Sequence, residues 1–363
     1  MRIEIDLTSL SYHMTGIERY AACVSENMLE QDSNNDYYLL FRNDVYPSFL
    51  RYIDGERVKS IVLHGDNKLF FYQVVLLKEL NKIFADKYLF FAFTSPMLFR
   101  KKGIINTIHD MGAWDSAEAM KVFQKIYWRT TIRLSAKTSE KIITVSNFSK
   151  GRIHEILKYP QDNIEVIPSA VYEGVTKDFG YSLSDIKNKY NLPDRYIMTL
   201  STLEPRKNMT LLLEAFTKIQ DKIDYDLVLV GRKGWKMDEV IEKYNNNGRI
   251  HLTGFVDDQH VSVIYKNALC FLFPSLYEGF GLPPVEALSL GTPVISSDAA
   301  SMPEVLRKQA MFFKSNDLKA LEELLLNLKI YLPNMANDLD EFQKEQYRFD
   351  VSARKVLKLL ERN

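Results

Sequence analysis

Cysteine is scarce in this chain of 363 residues. Cys23 and Cys270 both lie in apolar runs, and neither has a partner at metal-ligand spacing. That excludes a disulfide scaffold and a thiolate metal site, and it fits buried, reduced thiols in a cytoplasmic protein. An excess of one charge is also missing, since Lys plus Arg and Asp plus Glu both number 47. No global field therefore draws the chain to nucleic acid or membrane, and only local patches remain for such roles. No window of 18 uncharged apolar residues occurs, so no spanning helix is expected. The N-terminal Met-Arg-Ile-Glu-Ile-Asp-Leu alternates like a strand rather than reading as a signal peptide. The expected location is cytoplasmic, at most peripheral to a membrane. Two phosphate-binding patterns are absent as well: G-x-G-x-x-G at the first strand-to-helix junction, and G-x-x-x-x-G-K-[ST] anywhere.

What the chain does have is strand-like runs alternating with longer helical stretches, the pattern of βαβ units and parallel sheets. Residues 2–8, Tyr37–Phe41, Val58–Leu63, Tyr88–Phe93, Gly103–Ile108, Lys141–Val145 and Ile164–Ile167 read as strands of a first domain. Phe70 to Phe84 and about Ser116 to Ser139 read as helices between them. A polar stretch from about Tyr172 to Asp194 reads as a connection with one short helix. A second series then starts at Tyr196–Leu200 and continues with Asp226–Val230, Arg249–Leu252, Leu269–Phe273 and Pro293–Ser296. After Leu318 the pattern is helical to the end, broken near Pro333. The expected fold is α/β, two doubly wound domains over 1–175 and 176–345 with a last helix over 346–363. Ligands of such sheets sit at the carboxyl ends of the strands, which directs attention to a cleft between the domains.

The most informative stretch is Phe271-Leu-Phe-Pro-Ser-Leu-Tyr-Glu-Gly-Phe-Gly-Leu-Pro-Pro-Val-Glu286. It predicts a short strand, a glycine loop and a helix beginning near Pro283, where a missing amide does little harm. Gly279 and Gly281 permit close backbone approach to a ligand before a helix N-terminus that favours anions. Glu278 in the loop and Glu286 in the first helical turn suit a ligand rich in hydroxyls that also carries phosphate, such as a nucleotide sugar. Glu286 as a simple dipole partner is the plainer alternative.

Other candidates also fall at strand ends. Glu204-Pro-Arg-Lys-Asn208 offers Arg206 and Lys207 as a phosphate clamp, fork plus point charge, against the alternative of a solvated loop. Arg232 and Lys233 occupy the equivalent place after the next strand. His109-Asp110 follows a buried strand, where histidine suits a sugar hydroxyl or a developing charge. An ordinary turn with an Asp cap is the alternative. Gly16 lies at the first strand-to-helix junction, and by itself it reads equally well as a turn glycine. Lys121, Lys125, Arg129, Arg133, Lys137 and Lys141 recur every four residues along the long helix, around Tyr127 and Trp128. That surface suits anionic lipid headgroups or simple solvation. Asp224-Tyr-Asp226 and Asp338-Leu-Asp340 are read as solvated surface, and no metal is expected.

The stretch Glu278-Gly-Phe-Gly-Leu-Pro-Pro-Val-Glu286 resembles the E-x7-E signature of the large retaining glycosyltransferase family four, which has the GT-B fold. Glu204-Pro-Arg-Lys-Asn208 is similar to that family's diphosphate-binding segment, and Thr15-Gly16-Ile-Glu-Arg-Tyr20 to its first loop. Ile108-His109-Asp110, Thr144-Val-Ser-Asn-Phe-Ser149, His251-Leu-Thr-Gly-Phe-Val256 and Met302-Pro-Glu-Val305 fall where the family has like segments. The resemblance runs in order from about residue 1 to 310 and is most specific in the second domain. Within the family, the pattern is closest to mannosyl- and rhamnosyltransferases that build bacterial surface polysaccharides.

The resemblance implies a metal-independent retaining hexosyltransferase with no cofactor and a nucleoside diphosphate sugar as donor, GDP-mannose or dTDP-rhamnose. Arg206 and Lys207 would neutralise the departing diphosphate. Glu278 would contact hydroxyls of the transferred sugar, and the amides of Gly279, Phe280, Gly281 and Leu282 its hydroxyls and phosphates. Glu286 would bind the ribose, Gly16 would let the first loop approach the diphosphate and acceptor, and His109 would stabilise charge at the transition state. The acceptor would be a saccharide, free or lipid-linked, and the last helix would cross back onto the first domain. The segment departs from the family at Ser201-Thr202-Leu203, where a second arginine or a glycine is common. A nucleotide-sugar epimerase of the same fold, or a non-catalytic sugar-nucleotide-binding subunit, are the alternatives.

Overall fold

A computed structural model describes the chain except for residues 13, 54, 117–119, 235–236, 245, 338–346 and 362–363. The chain divides into two compact units, Met1–Ala170 with Tyr347–Asn363, and Val171–Gln346. Both are parallel-sheet Rossmann-like units with helices between successive strands.

The first unit holds a seven-stranded sheet. Its strands are β1 (Arg2–Asp6), β2 (Asp36–Arg42), β3 (Val58–Leu63), β4 (Lys87–Phe90), β5 (Ile104–Thr107), β6 (Lys141–Thr144) and β7 (Ile164–Val166). Their order is β3-β2-β1-β4-β5-β6-β7, so the winding reverses between β1 and β4. Strands such as Lys87–Phe90 and Ile104–Thr107 are buried along their whole length, as a sheet covered on both faces requires. The helix Phe349–Glu361 packs in this unit against Gly16–Gln31. Ser352 donates to the Pro168 carbonyl at 2.8 Å, and Phe349 meets Tyr20 edge-on.

The second unit holds a six-stranded sheet. It comprises β8 (Tyr196–Leu200), β9 (Asp226–Val230), β10 (Ile250–Gly254), β11 (Phe271–Phe273), β12 (Val294–Ser297) and β13 (Ala310–Phe313). The order β10-β9-β8-β11-β12-β13 reverses between β8 and β11. The helix Met209–Ile219 places Leu212, Leu213 and Phe216 against Ile197, Leu227 and Cys270 of the sheet. Burial pushes the Cys270 thiol well up, so it behaves as a small apolar side chain.

Four expectations need correction. The break read near Pro333 falls at Asn327, and Pro333 lies inside the helix Leu328–Asn337. The helix read from about Ser116 begins at Val122, because Lys121 takes an extended backbone and serves as its N-cap. A separate turn of helix, Gly112–Asp115, precedes it. The connecting stretch holds two helices, Glu173–Thr176 and Leu183–Tyr190, the latter capped by Ser182. Finally, β13 has no counterpart in the sequence reading. Its four residues are defined by pairing with β12, a relation that local pattern does not carry.

Candidate active site

In the second unit the candidate residues come from two loops whose strands are neighbours. After β8 the chain makes a short 3₁₀ turn, Pro205–Lys207, with Asn208 in the left-handed region at φ 55° starting the next helix. After β11 it runs through Ser275 to Gly281 and enters the helix Leu282–Ser289. β8 and β11 flank the reversal of the sheet, the place where doubly wound sheets bind ligands, and the two loops meet there, the Leu276 amide donating to the Arg206 carbonyl at 2.9 Å.

Arg206 and Lys207 converge there on Glu278. Lys207 Nζ donates to Glu278 Oε1 at 2.6 Å, and Arg206 donates to Oε2 at 3.1 Å. The same guanidinium reaches the Tyr277 carbonyl at 2.6 Å and Glu204 Oε1 at 3.0 Å. Ser275 donates to Glu278 Oε1 at 2.5 Å, and Ser301 donates to the Glu278 carbonyl at 3.0 Å. Lys207 also lies 5.3 Å from the ring centre of Phe273. Glu278 and Lys207 are only 8% and 9% exposed. Burial by itself would raise the Glu278 carboxyl, but Lys207 and Arg206 outweigh it and hold it down at about 2. The site is thus a charged, hydrogen-bonded cluster that is neutralised internally before any ligand arrives. Sequence reading found Arg206, Lys207 and Glu278 but not the supports Ser275, Ser301 and Phe273. A lone serine near a glutamate carries no signal until the loop brings the two together.

Gly281 is the N-cap of the helix, with φ 82°, a conformation that favours glycine. A Cβ there would lie 2.8 Å from Met302 Sδ and would overlap Met302 Cε. Gly279 and Phe280 are buried beside it, and Leu282 opens the helix. Pro283 and Pro284 have no amide, so the donors at this helix start are those of Gly281, Leu282 and Val285. Glu286 is the fifth helical residue and lies in the second turn, not the first. It is 6% exposed and accepts from Tyr265 Oη at 3.3 Å.

Arg232 and Lys233 are engaged elsewhere. Arg232 stacks on Phe255 at 4.5 Å, and Lys233 pairs with Asp238. Asp224 pairs with Arg195 and Lys329, and Asp226 with Arg249 and His251. Asp338 and Asp340 lie outside the described residues. Among the described residues no group of three or more His, Cys, Asp or Glu is placed to hold a metal.

In the first unit, Gly16 opens the helix Gly16–Gln31, where the Thr15 amide donates to Glu18 Oε2 at 2.7 Å. His109 follows β5. Its Nε2 lies 2.7 Å from the Phe91 carbonyl, which fixes the proton on Nε2 and leaves Nδ1 as the acceptor. Its ring stands edge-on to Tyr20 at 5.2 Å. Burial lowers its pKa, so it is neutral near pH 7. Asp110 accepts from the Gly112 amide at 2.7 Å in a turn of its own, while Met111 is the N-cap of the short helix.

This unit also contains a cavity of about 570 Å³, unforeseen from the sequence, at its own sheet reversal. The loop after β1 (Thr8–Ser11) and residues just after β4 (Phe93, Thr94) border it, with Tyr72, Tyr127 and Trp128 as walls. Phe93 stacks on Trp128 at 5.8 Å. The hydroxyls of Ser9 and Thr94 are buried there without a hydrogen-bond partner in the structure. Beneath it, Asp6 accepts from Thr8 and from Tyr72 Oη, at 2.6 and 3.0 Å. Glu4, on the same face of β1, is fully buried with both carboxyl oxygens unpartnered, and burial followed by the nearby Asp6 raises its pKa well above the usual range.

Comparison with known proteins bears first on the second unit. Residues 183–346 match the family described as glycosyl transferases group 1, over the unit that carries the Arg206–Lys207–Glu278 cluster. The chain carries a group 1 glycosyltransferase domain. This glycosyltransferase is 26% identical to the O-antigen chain mannosyltransferase B of Escherichia coli over 343 residues, 90% of each chain. Among solved structures, WaaG, a glycosyltransferase involved in lipopolysaccharide biosynthesis, superposes with a TM-score of 0.74 at 13% identity, covering 100% of both chains. HepE of Anabaena, solved with UDP and glucose, superposes with a TM-score of 0.73 at 13% identity over 100% of both. The fold is GT-B.

Proposed function

We propose that this glycosyltransferase is a metal-independent, retaining hexosyltransferase of cell-surface polysaccharide synthesis. It moves a hexose from a nucleoside diphosphate sugar to a saccharide acceptor that is lipid-linked at the inner face of the cell membrane. The observation that carries the reading is the convergence of Arg206 and Lys207 on Glu278 at the β8/β11 reversal, beside a glycine-started helix.

In this reading the donor diphosphate takes over Arg206 and Lys207, whose fixed charges stabilise it as it leaves and do the work a metal does elsewhere. Glu278, released from part of its pairing, accepts from hydroxyls of the transferred sugar. The amides of Gly279 to Leu282 serve the sugar and phosphates, and Glu286 takes the ribose. Glu278 is held by three donors and ionises at about 2, which makes it a poor nucleophile. That favours a single displacement on one face of the sugar: the bond from C1 to the diphosphate oxygen breaks, the acceptor oxygen bonds to C1, and the hydroxyl proton passes to the departing phosphate oxygen. His109 stabilises charge at the transition state, and Gly16 lets the first loop approach the substrates. The first-unit cavity, with its aromatic walls and unpartnered hydroxyls, suits the acceptor saccharide. The mannosyltransferase relative supports mannose as the hexose, and the proposed donor is GDP-mannose or dTDP-rhamnose.

The test is transfer to a saccharide acceptor with GDP-, dTDP- and UDP-sugars in the presence of EDTA. Product anomeric configuration is read by NMR. Retention of configuration with EDTA present is expected. Inversion, or activity that returns only with a divalent ion, overturns the mechanism. Failure of Glu278→Ala to reduce transfer at saturating donor overturns the site.

A further inference from the structure

The structure leaves an unusual surface on the first unit. The helix Val122–Thr138 buries Thr131, Ser135 and Ala136 and turns its apolar start outward. Val122, Phe123 and Ile126 are 74%, 73% and 59% exposed. A helix on the surface of a globular protein normally does the reverse. The helical segment from Lys68 to Lys82 buries Phe71, Leu76 and Leu80 in the core and still exposes Leu69, Phe70 and Val74, at 45%, 59% and 46%. The two helices are neighbours. Leu69 and Phe123 border the same cavity, and Gln73 donates to Tyr127 Oη at 3.3 Å. Single exposed apolar residues are ordinary, but six on two adjacent helix starts around one cavity mouth form a contiguous apolar lip.

The two lip segments themselves carry charge of one sign, although Glu18 borders the cavity. Lys68 and Lys121 are exposed, and Lys125 is half-buried beside Ile126. No carboxylate occurs from 67 to 78 or from 120 to 139, and Asp66 lies just outside. Three of the four cations farther along the sequence are occupied, Lys141 among them on β6, while Lys137 is exposed at the far end of the helix. Arg129 donates to the Ala113 carbonyl at 2.8 Å, Arg133 covers Trp114, and Lys141 donates to Asn163. The four-residue basic stripe is therefore not the surface that matters.

We infer that this lip, Leu69, Phe70 and Val74 with Val122, Phe123 and Ile126, docks the first unit onto an anionic lipid bilayer. Its apolar side chains enter the headgroup–acyl boundary while Lys68, Lys121 and Lys125 face anionic headgroups. The inference deepens the membrane attachment proposed above by naming its surface, and it presents the cavity mouth to the sugar of a lipid-linked acceptor.

Flotation of the full chain with vesicles, without donor or acceptor, tests it. Binding to vesicles containing a third phosphatidylglycerol in phosphatidylcholine is expected, with little binding to phosphatidylcholine alone. Phe70→Ser with Ile126→Ser should reduce the bound fraction about tenfold or more, since each removes a large apolar contact. Lys121→Glu with Lys125→Glu should remove the preference for anionic vesicles. Thermal melting of each variant checks its fold. Equal flotation on both vesicle types, or variants that float like the parent, overturns the inference. So does a dimer of the parent, seen by light scattering, that Phe70→Ser with Ile126→Ser converts to monomer, because the lip is then a self-interface. Transfer to a soluble saccharide with failed flotation removes this surface and leaves the proposed reaction standing.

Discussion

Lys207 and Glu278 form a nearly enclosed ion pair, Nζ to Oε1 at 2.6 Å, on loops 71 residues apart in the chain. Glu278 thereby occupies the cations that the proposed reaction assigns to the donor diphosphate, and ligand binding must exchange one anion for another.

Glu278→Gln separates those roles. Transfer should fall by about 10²-fold or more, because a group aimed at the reacting sugar is lost. Affinity for the free nucleoside diphosphate should rise, because Arg206 and Lys207 no longer face a competing carboxylate. Titration calorimetry with the diphosphate and a rate assay at saturating donor check the two effects. Weaker diphosphate binding in the variant would show that Glu278 supports the cations instead of competing for them.

Arg206→Lys is not a conservative change here. The guanidinium spans Glu204, the Tyr277 carbonyl and Glu278, and a lysine presents a single point charge on a flexible stem. A loss of about 10²-fold in kcat/KM for the donor is expected, with the acceptor KM little changed. Steady-state kinetics varying each substrate in turn decides it.

Gly281→Ala should destabilise the second unit. Its left-handed backbone alone costs an L-residue about 1–2 kcal/mol. Displacing the Met302 thioether adds to that. Met302→Ala in the same chain should recover the steric part and leave the backbone part. Denaturant melts of the parent, the single variant and the double variant measure both.

The first unit should show an alkaline limb in its stability. Burial, then Asp6, raises the Glu4 carboxyl in the folded state, so the folded state holds its proton more tightly than the unfolded chain does. That contribution is complete below the ordinary glutamate range and is lost as pH rises toward the raised folded value. Glu278 acts oppositely, since its carboxyl is held at about 2 and its contribution is lost only as pH falls toward that value. Glu4→Gln should flatten the alkaline limb, and melting temperatures between pH 5 and 9 test it. An unchanged limb in Glu4→Gln would exclude Glu4 as its source.

Trp128→Ala should raise the acceptor KM about tenfold without moving the donor KM, if the stacked Phe93–Trp128 wall holds the saccharide. Equal effects on both substrates would remove the cavity from the acceptor path.

The sequence by itself determined the elements whose causes are local. Mostly apolar runs became parallel strands, β8 and β9 with the expected ends. Gly281 before Leu-Pro-Pro marked a helix start, and Arg206-Lys207 after an apolar strand marked a cationic loop. What only the tertiary structure decided depends on neighbours distant in sequence. The order of strands placed β8 beside β11 and so joined Arg206 and Lys207 to Glu278. Ser275 became a support of that carboxylate, and β13 became a strand only by pairing with β12. The direction in which a helix faces was equally invisible: nothing in the sequence singled out Val122, Phe123 and Ile126, which lie outside. Apolar character sets the free energy of burial, but which apolar face is covered depends on the space the rest of the fold leaves for it.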